Sequence, residues 1–270
     1  MKLGVIITIA DDLEAEFKKV RDLGFTTCQL NCWDQSKFND VTAQKVVAAS
    51  RKYGIEITSF WCGWEGPAVW DLYEGPLTLG LVPQTFRHER LKMLMKGADF
   101  AVKIGVKNLI THVGFIPENP NDPEYHSLVS TLRYLVQYCK ANGLFFLFET
   151  GQETPVTLLR TIEDIGLDNQ GINLDPANLI LYGKANPVDA LDVIGKYVRD
   201  VHAKDGTYPK TGRFIGEEVP LGTGKVNIQT LVARLKEIGY DGPLTIEREI
   251  SGEQQIQDIL MAKNLLEKLI

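Results

Sequence analysis

Four residues with metal-ligating chemistry stand at or near the ends of four apolar runs. Glu149 closes FLFE, Asp175 closes GINLD, His202 lies in VRDVHAKD and Glu247 lies in GPLTIERE. A carboxylate at the end of an apolar strand is costly to bury unless a cation or a set of donors meets it. Any one of the four alone is explained by a structural ion pair with a neighbouring lysine or arginine. Together, three carboxylates and one imidazole match a single divalent ion. The oxygen-rich donor set points to Mn2+ first, with Co2+, Mg2+ or Zn2+ as alternatives.

The four residues are 26, 27 and 45 positions apart, so they meet only if their strands converge on one mouth. The chain has the pattern for that. Runs rich in Val, Ile, Leu and Phe predict strands at 3–9, 25–31, 55–61, 107–112, 144–149, 171–175, 197–203 and 243–247. Amphipathic stretches between them predict helices at about 11–23, 41–53, 85–104, 122–141, 155–165, 187–195, 227–238 and 254–268. Asp11, Thr42 and Asn227 are candidate N-caps, and Gly24, Gly54, Gly105, Gly143, Gly166 and Gly239 each follow a helix where a left-handed residue is needed. This is one repeated unit without a linker, so we expect an α/β chain folded as a single (β/α)8 TIM barrel over residues 1–270. In such a barrel the long connections 62–84 and 204–226 fall at the C-terminal face, as walls or lids of a site.

Composition narrows the partners. Hydrophobic residues are 44% and charged residues 24%, and no apolar stretch has the length of a membrane span. The net charge of −6, without a basic run, weighs against nucleic acid. The start, MKLGVIITIADD, suits a buried strand better than a secretory signal, so a cytoplasmic location is expected. Cys28, Cys32, Cys62 and Cys139 form no metal or redox pair by spacing and read as reduced, packed thiols. A homo-oligomer is compatible with the sequence.

Further residues are candidates for substrate contact. His112 ends the fourth strand in LITHVGF and should face the mouth. Asn178 and Lys204 lie beside ligands and can donate to sugar oxygens, although Lys204 can also pair with Asp205 or Glu249. Glu153, in ETGQE, either orients a ligand or caps the next helix. Trp61, Trp64 and Trp70 cluster around the third strand's end, where aromatic faces suit a pyranose or pack the loop. PLGTGK is glycine-rich and enters a helix, but GTGK lacks Walker spacing and a tight turn explains its glycines.

The motifs FET at 148–150, NLDPAN at 173–178, HAKDG at 202–206, PLGTGKVN at 220–227 and GPLTIERE at 242–249 resemble the xylose isomerase-like sugar isomerases and epimerases. That family includes ketose 3-epimerases, inosose isomerases and dehydratases, and endonuclease IV. The resemblance implies Glu149, Asp175, His202 and Glu247 as ligands of one divalent ion, with Glu149 and Glu247 also the acid/base pair. Asn178 replaces a histidine found both in endonuclease IV and in the ketose 3-epimerases, and no DxH pair follows His202. These departures and the acidic charge argue against abasic-site DNA cleavage. Arg213, in DGTYPKTGR, is the candidate for the arginine that follows the ligand histidine in the 3-epimerases.

The expected activity is therefore a metal-dependent sugar or keto-sugar epimerase/isomerase, abstracting a proton beside a carbonyl through an enediolate. An inosose dehydratase-like or keto-glycoside lyase would use the same site. A metal-stabilised sugar-binding protein without turnover is the alternative from another class.

Overall fold

A computed structural model describes residues 1–270. Eight strands run parallel: β1 (Lys2–Thr8), β2 (Thr27–Cys32), β3 (Glu56–Cys62), β4 (Asn108–Thr111), β5 (Phe145–Glu149), β6 (Gln170–Leu174), β7 (Val198–Ala203) and β8 (Pro243–Ile246). They close in the order β1-β8-β7-β6-β5-β4-β3-β2, so no edge is left unpaired. The principal helices are α1 (Leu13–Asp22), α2 (Asp40–Tyr53), α3 (Gln84–Lys103), α4 (Pro123–Ala141), α5 (Pro155–Ile165), α6 (Pro187–Ile194), α7 (Ile228–Glu237) and α8 (Glu253–Leu266). No helix is long and apolar enough to cross a membrane.

The period of two along each strand divides the apolar residues into two bodies. One set of alternate residues, including Leu30, Phe60, Leu109, Phe146 and Val201, joins the main core between sheet and helices. The other set faces the barrel axis: Trp61, Ile110 and Leu147 pack there with Trp64 and Leu79. The axis is apolar around Trp61, Ile110 and Leu147 and polar around Gln29, Ser59, Asn173, Asp200, His202 and Thr245, all of them buried.

Two register shifts build that polar side. Cys28 pairs with Ile57 but Gln29 pairs with Ser59, leaving Thr58 as an extra residue on β3. Likewise Ile172 pairs with Val198 but Asn173 with Asp200, leaving Arg199 extra on β7. Such bulges re-aim the side chains beyond them. Here they bring Ser59 Oγ within 2.7 Å of Asp200 Oδ2, and Gln29 Nε2 donates to Ser59 Oγ at 3.0 Å. The Asn108 side chain caps the Thr58 carbonyl at 3.1 Å.

Helix ends follow local rules with three departures from the expected caps. Asp12, not Asp11, caps α1 by accepting from Ala15 N, and Asn39, not Thr42, caps α2 by accepting from Thr42 N. Asn227 has a left-handed backbone (φ 56) and no side-chain cap bond. Asp122, Thr154 and Asn186 each cap a helix that begins with proline, where the missing N–H removes no intrahelical bond.

A two-stranded hairpin, Asp205–Gly206 with Glu218–Val219, interrupts the connection after β7 and had no signature in the sequence. It organises the glycine-rich loop. Asp205 is buried, and its carboxylate accepts from the N–H groups of Gly206, Gly222, Gly224 and Val226 at 2.8 to 3.0 Å. A Cβ on Gly224 would lie 2.2 Å from Asp205 Oδ1, so the loop needs glycine there. The nest of donors that resembled a phosphate cradle is filled by an internal anion. Asp205→Ala should leave these donors without their acceptor and lower stability by about 2–4 kcal/mol, measured by urea denaturation. An unchanged midpoint would show that the carboxylate does not hold the loop.

Candidate metal centre and active site

Four consecutive strands deliver the four candidate ligands. Glu149 is the last residue of β5, and Asp175 follows β6 and caps the short helix Pro176–Leu181 through Asn178 N. His202 lies within β7, and Glu247 follows β8. Their ligand atoms all lie within 4.8 Å of one another. Glu149, Asp175 and His202 are buried, and Glu247 opens slightly to the cavity.

His202 Nδ1 is the focus: it lies 3.4 Å from Glu149 Oε1, 3.4 Å from Asp175 Oδ2 and 3.1 Å from Glu247 Oε2. The opposite ring nitrogen, Nε2, lies 2.9 Å from Gln29 Oε1, which accepts only if Nε2 carries the hydrogen. Asn173 Nδ2 lies 3.0 Å from the same nitrogen while Asn173 Oδ1 has no partner, so a half-turn of that amide would supply a second acceptor. Nδ1 is thus left to face three carboxylates, and only a proton or a metal cation makes that arrangement favourable.

Without a metal the cluster is balanced by two protonated groups. Burial opposes charge on His202, but the Glu247 and Glu149 carboxylates and bonds to Asp175 and Glu149 raise its pKa well above the ordinary value. Lys204, buried on the same side, lies 3.0 Å from Glu247 Oε2, 3.5 Å from Asp175 Oδ2 and 3.1 Å from Glu249 Oε1; Glu247 and Glu249 overcome its burial and hold it charged. Burial would raise the Glu149 carboxyl, yet His112 and His202 hold it below its usual range. Glu247 Oε2 is close to both cations but aligned for a hydrogen bond with neither. A buried anionic oxygen with a free lone pair, beside two more carboxylates and an imidazole nitrogen, is a donor set that fits a divalent ion.

The cavity above the cluster has a volume of about 520 Å3. Of the expected substrate contacts, Trp61, Trp70, His112 and Asn178 line it. Three of these touch Glu149: Trp61 Nε1 donates to Oε2, Asn178 Nδ2 donates to Oε1 at 3.4 Å, and His112 Nε2 lies 3.4 Å from Oε1. Lys204 sits at the cluster instead of in the lining, paired with Glu249 and not Asp205. Arg213 is exposed, lies over the Tyr73 ring and reaches to within 3.9 Å of Glu74, away from the cavity lining. Glu153 is buried outside the lining, and Thr154, not Glu153, caps α5.

Sequence reasoning passed over Gln29, Asn31 and Trp33, all of which line the cavity. The period of two in TCQLNC was the available signal, because it puts Gln29 and Asn31 on the face opposite the three apolar residues.

A family model described as xylose isomerase-like TIM barrel matches residues 17–265, and the chain belongs to that family. A xylose isomerase domain protein from Planctomyces limnophilus is 37% identical, covering 99% of this chain and 96% of its own with a TM-score of 0.94. A D-tagatose 3-epimerase-like protein is 22% identical, with coverage of 100% and 97% and a TM-score of 0.78. An uncharacterized protein from Methanocaldococcus jannaschii is 23% identical over all of this chain and 89% of its own length. Ketose 3-epimerases, a probable dehydratase and a Mycobacterium smegmatis barrel in complex with magnesium share the fold.

Gln29→Ala removes the acceptor that fixes the His202 ring, and should weaken divalent-ion affinity by about 10–100-fold, read by calorimetric titration; unchanged affinity would leave Gln29 without that role. Glu153 has its carboxyl pushed up to about 8 by burial, partly offset by Lys184. Below the ordinary carboxyl range both folded and unfolded states hold its proton. Between that range and about 8 only the folded state does, so stability should fall as pH rises. Glu153→Gln should abolish that fall, giving a gain on the order of a few kcal/mol at pH 8 and little at pH 4. Parallel pH profiles of thermal stability for both proteins would contradict it.

Proposed function

We propose that this xylose isomerase-like barrel is a divalent-metal-dependent sugar or keto-sugar epimerase/isomerase that moves a proton next to a carbonyl. The observation that carries the reading is the position of the two glutamates. Glu149 and Glu247 stand at the two ends of a four-strand arc and both reach His202 Nδ1, at 3.4 and 3.1 Å. A sugar seated over that nitrogen has one carboxylate on each side.

Glu149, Asp175, His202 and Glu247 would hold the ion, with Mn2+ the first expectation and Co2+, Mg2+ or Zn2+ alternatives. A bound divalent ion supplies the Lewis acidity that stabilises the charge of an enediolate. The chain's own groups do the rest. One glutamate takes the proton from the carbon beside the carbonyl, and the other returns a proton to the opposite face, which inverts that carbon. Return to the neighbouring carbon isomerises aldose and ketose. Trp61 and Asn178, by donating to Glu149, fix which carboxylate oxygen faces the substrate. The buried thiols and the acidic surface suit a cytoplasmic enzyme acting on a small carbohydrate.

Elimination, as in a dehydratase or keto-glycoside lyase, is the second reading, and His112 favours it. His112 lines the cavity with its Nε2 3.4 Å from Glu149 Oε1, a position from which an imidazole N–H can donate to a departing oxygen.

NMR in D2O with ketoses, keto-glycosides and inososes and added Mn2+ tests these readings. Deuterium at the carbon beside the carbonyl is the expected result, and a new enone absorbance would select elimination. Tight binding with neither would make the protein a sugar-binding module. Glu149→Gln and Glu247→Gln should each retain metal while turnover falls by about 10² or more. If the two act on opposite faces, one variant should still wash deuterium into substrate without forming epimer. Near wild-type turnover by a metal-loaded variant would reduce that residue to a ligand.

A further inference from the structure

All four tryptophans of the chain, Trp33, Trp61, Trp64 and Trp70, pack into one cluster, and Trp33, Trp61 and Trp70 line the cavity above the carboxylates with Trp64 behind them. They stand in two rows. Trp61 and Trp64 are buried, and Trp64 is backed by the Arg90 guanidinium, 5.3 Å from its ring centre. Trp33 and Trp70 are each 38% exposed and both line the cavity. Trp33 is one ring's width beyond Trp61, with centres 5.0 Å apart, and Trp70 is one ring's width beyond His112, at 5.3 Å. Trp61 and His112 both touch Glu149. A single sugar ring placed at the cluster therefore meets Trp61 and His112 and leaves the faces of Trp33 and Trp70 to water, which costs about 25 cal/mol for each Å2 of apolar surface.

The outer rings are held in place. Gly63 lets the Trp33 ring lie directly on the strand end, where a Cβ would come within 2.5 Å of it. Trp33 and Trp70 meet edge to face at 6.3 Å. Charge limits what they can receive. The charged residues lining the cavity are Glu149, Glu247, Glu249 and Arg248. Arg248 is already paired, its Nη1 2.8 Å from Glu218 and its Nε 2.8 Å from Asp258. Lys204 is held by carboxylates, and the glycine-rich loop is filled by Asp205. A phosphate on the substrate finds no free cation or open nest.

We propose that the substrate is an uncharged glycoside, whose keto-sugar ring sits at the carboxylate cluster and whose second ring, a sugar or an aromatic aglycone, lies against Trp33 and Trp70. This rests on the proposed proton-transfer chemistry for the keto-sugar end, and the aromatic wall adds the rest of the molecule. Carbohydrate C–H faces and aryl rings both pack on indole, and two such contacts discriminate by about a factor of ten.

Because every tryptophan belongs to this one cluster, tryptophan fluorescence reports on it alone. We would titrate the Mg2+-loaded protein with glucose, glucose 6-phosphate, cellobiose and phenyl β-D-glucoside. Cellobiose or phenyl glucoside should perturb the emission with an affinity about ten-fold or more above that of glucose. The Trp33→Ala, Trp70→Ala double variant should lose the preference while keeping its metal affinity. The wild-type series decides alone if that variant does not fold. Equal affinity for glucose and the glycosides, tightest binding of glucose 6-phosphate, or a preference that survives in the folded double variant would overturn the proposal. Deuterium exchange is read separately. Exchange without glycoside preference sinks only the glycoside assignment, whereas glycoside preference without exchange from any sugar sinks only the proposed chemistry.

Discussion

Three carboxylates and an imidazole nitrogen within 4.8 Å of one another set the terms for the rest of the molecule. Like charges about 4 Å apart repel by about 4 kcal/mol at an effective dielectric near 20, so the arrangement persists only with positive charge inside it. The chain supplies some from Lys204 and from a proton on His202. A divalent ion held by the same four residues would supply that charge in place of the proton. The barrel is the means of enforcing the crowding: parallel strands end at one mouth, and closure forbids the carboxylates from swinging apart with a free edge.

The polar side of the barrel interior supports the same point from beneath. Asp200, Ser59 and Gln29 form a bonded column that ends on His202 Nε2. Asp200 is fully buried, and burial raises its carboxyl, while Ser59 and His202 oppose that rise. The bulges at Thr58 and Arg199 put these residues in line. The orientation of one imidazole is therefore tied to the register of four strands, which makes the site a property of the barrel and not of its loops.

This explains what the sequence could and could not disclose. Glu149, Asp175 and Glu247 were legible because each terminates an apolar run, and a strand end is the one place where local pattern fixes global position. Gln29, Ser59 and Asp200 were not, since their meeting depends on two single-residue register shifts that leave no mark in composition. Of the two partners open to Lys204, Glu249 pairs with it, while the hairpin after β7 turns Asp205 toward the glycine loop. Trp33 stood outside the three tryptophans that are close in sequence, and joins them only because β2 and β3 are neighbours and Gly63 leaves room. Helix caps failed by one or three residues, where two polar residues competed for the same role.

The central claim is that a divalent ion takes the place of the proton on His202 Nδ1. Its most direct measurement is calorimetric titration of the metal-free protein with Mn2+ at pH 7 in buffers of different ionisation enthalpy, which counts the protons released. The account predicts one ion per chain and close to one proton expelled per ion, with binding lost in His202→Ala. Binding without proton release, or undiminished in that variant, would contradict it.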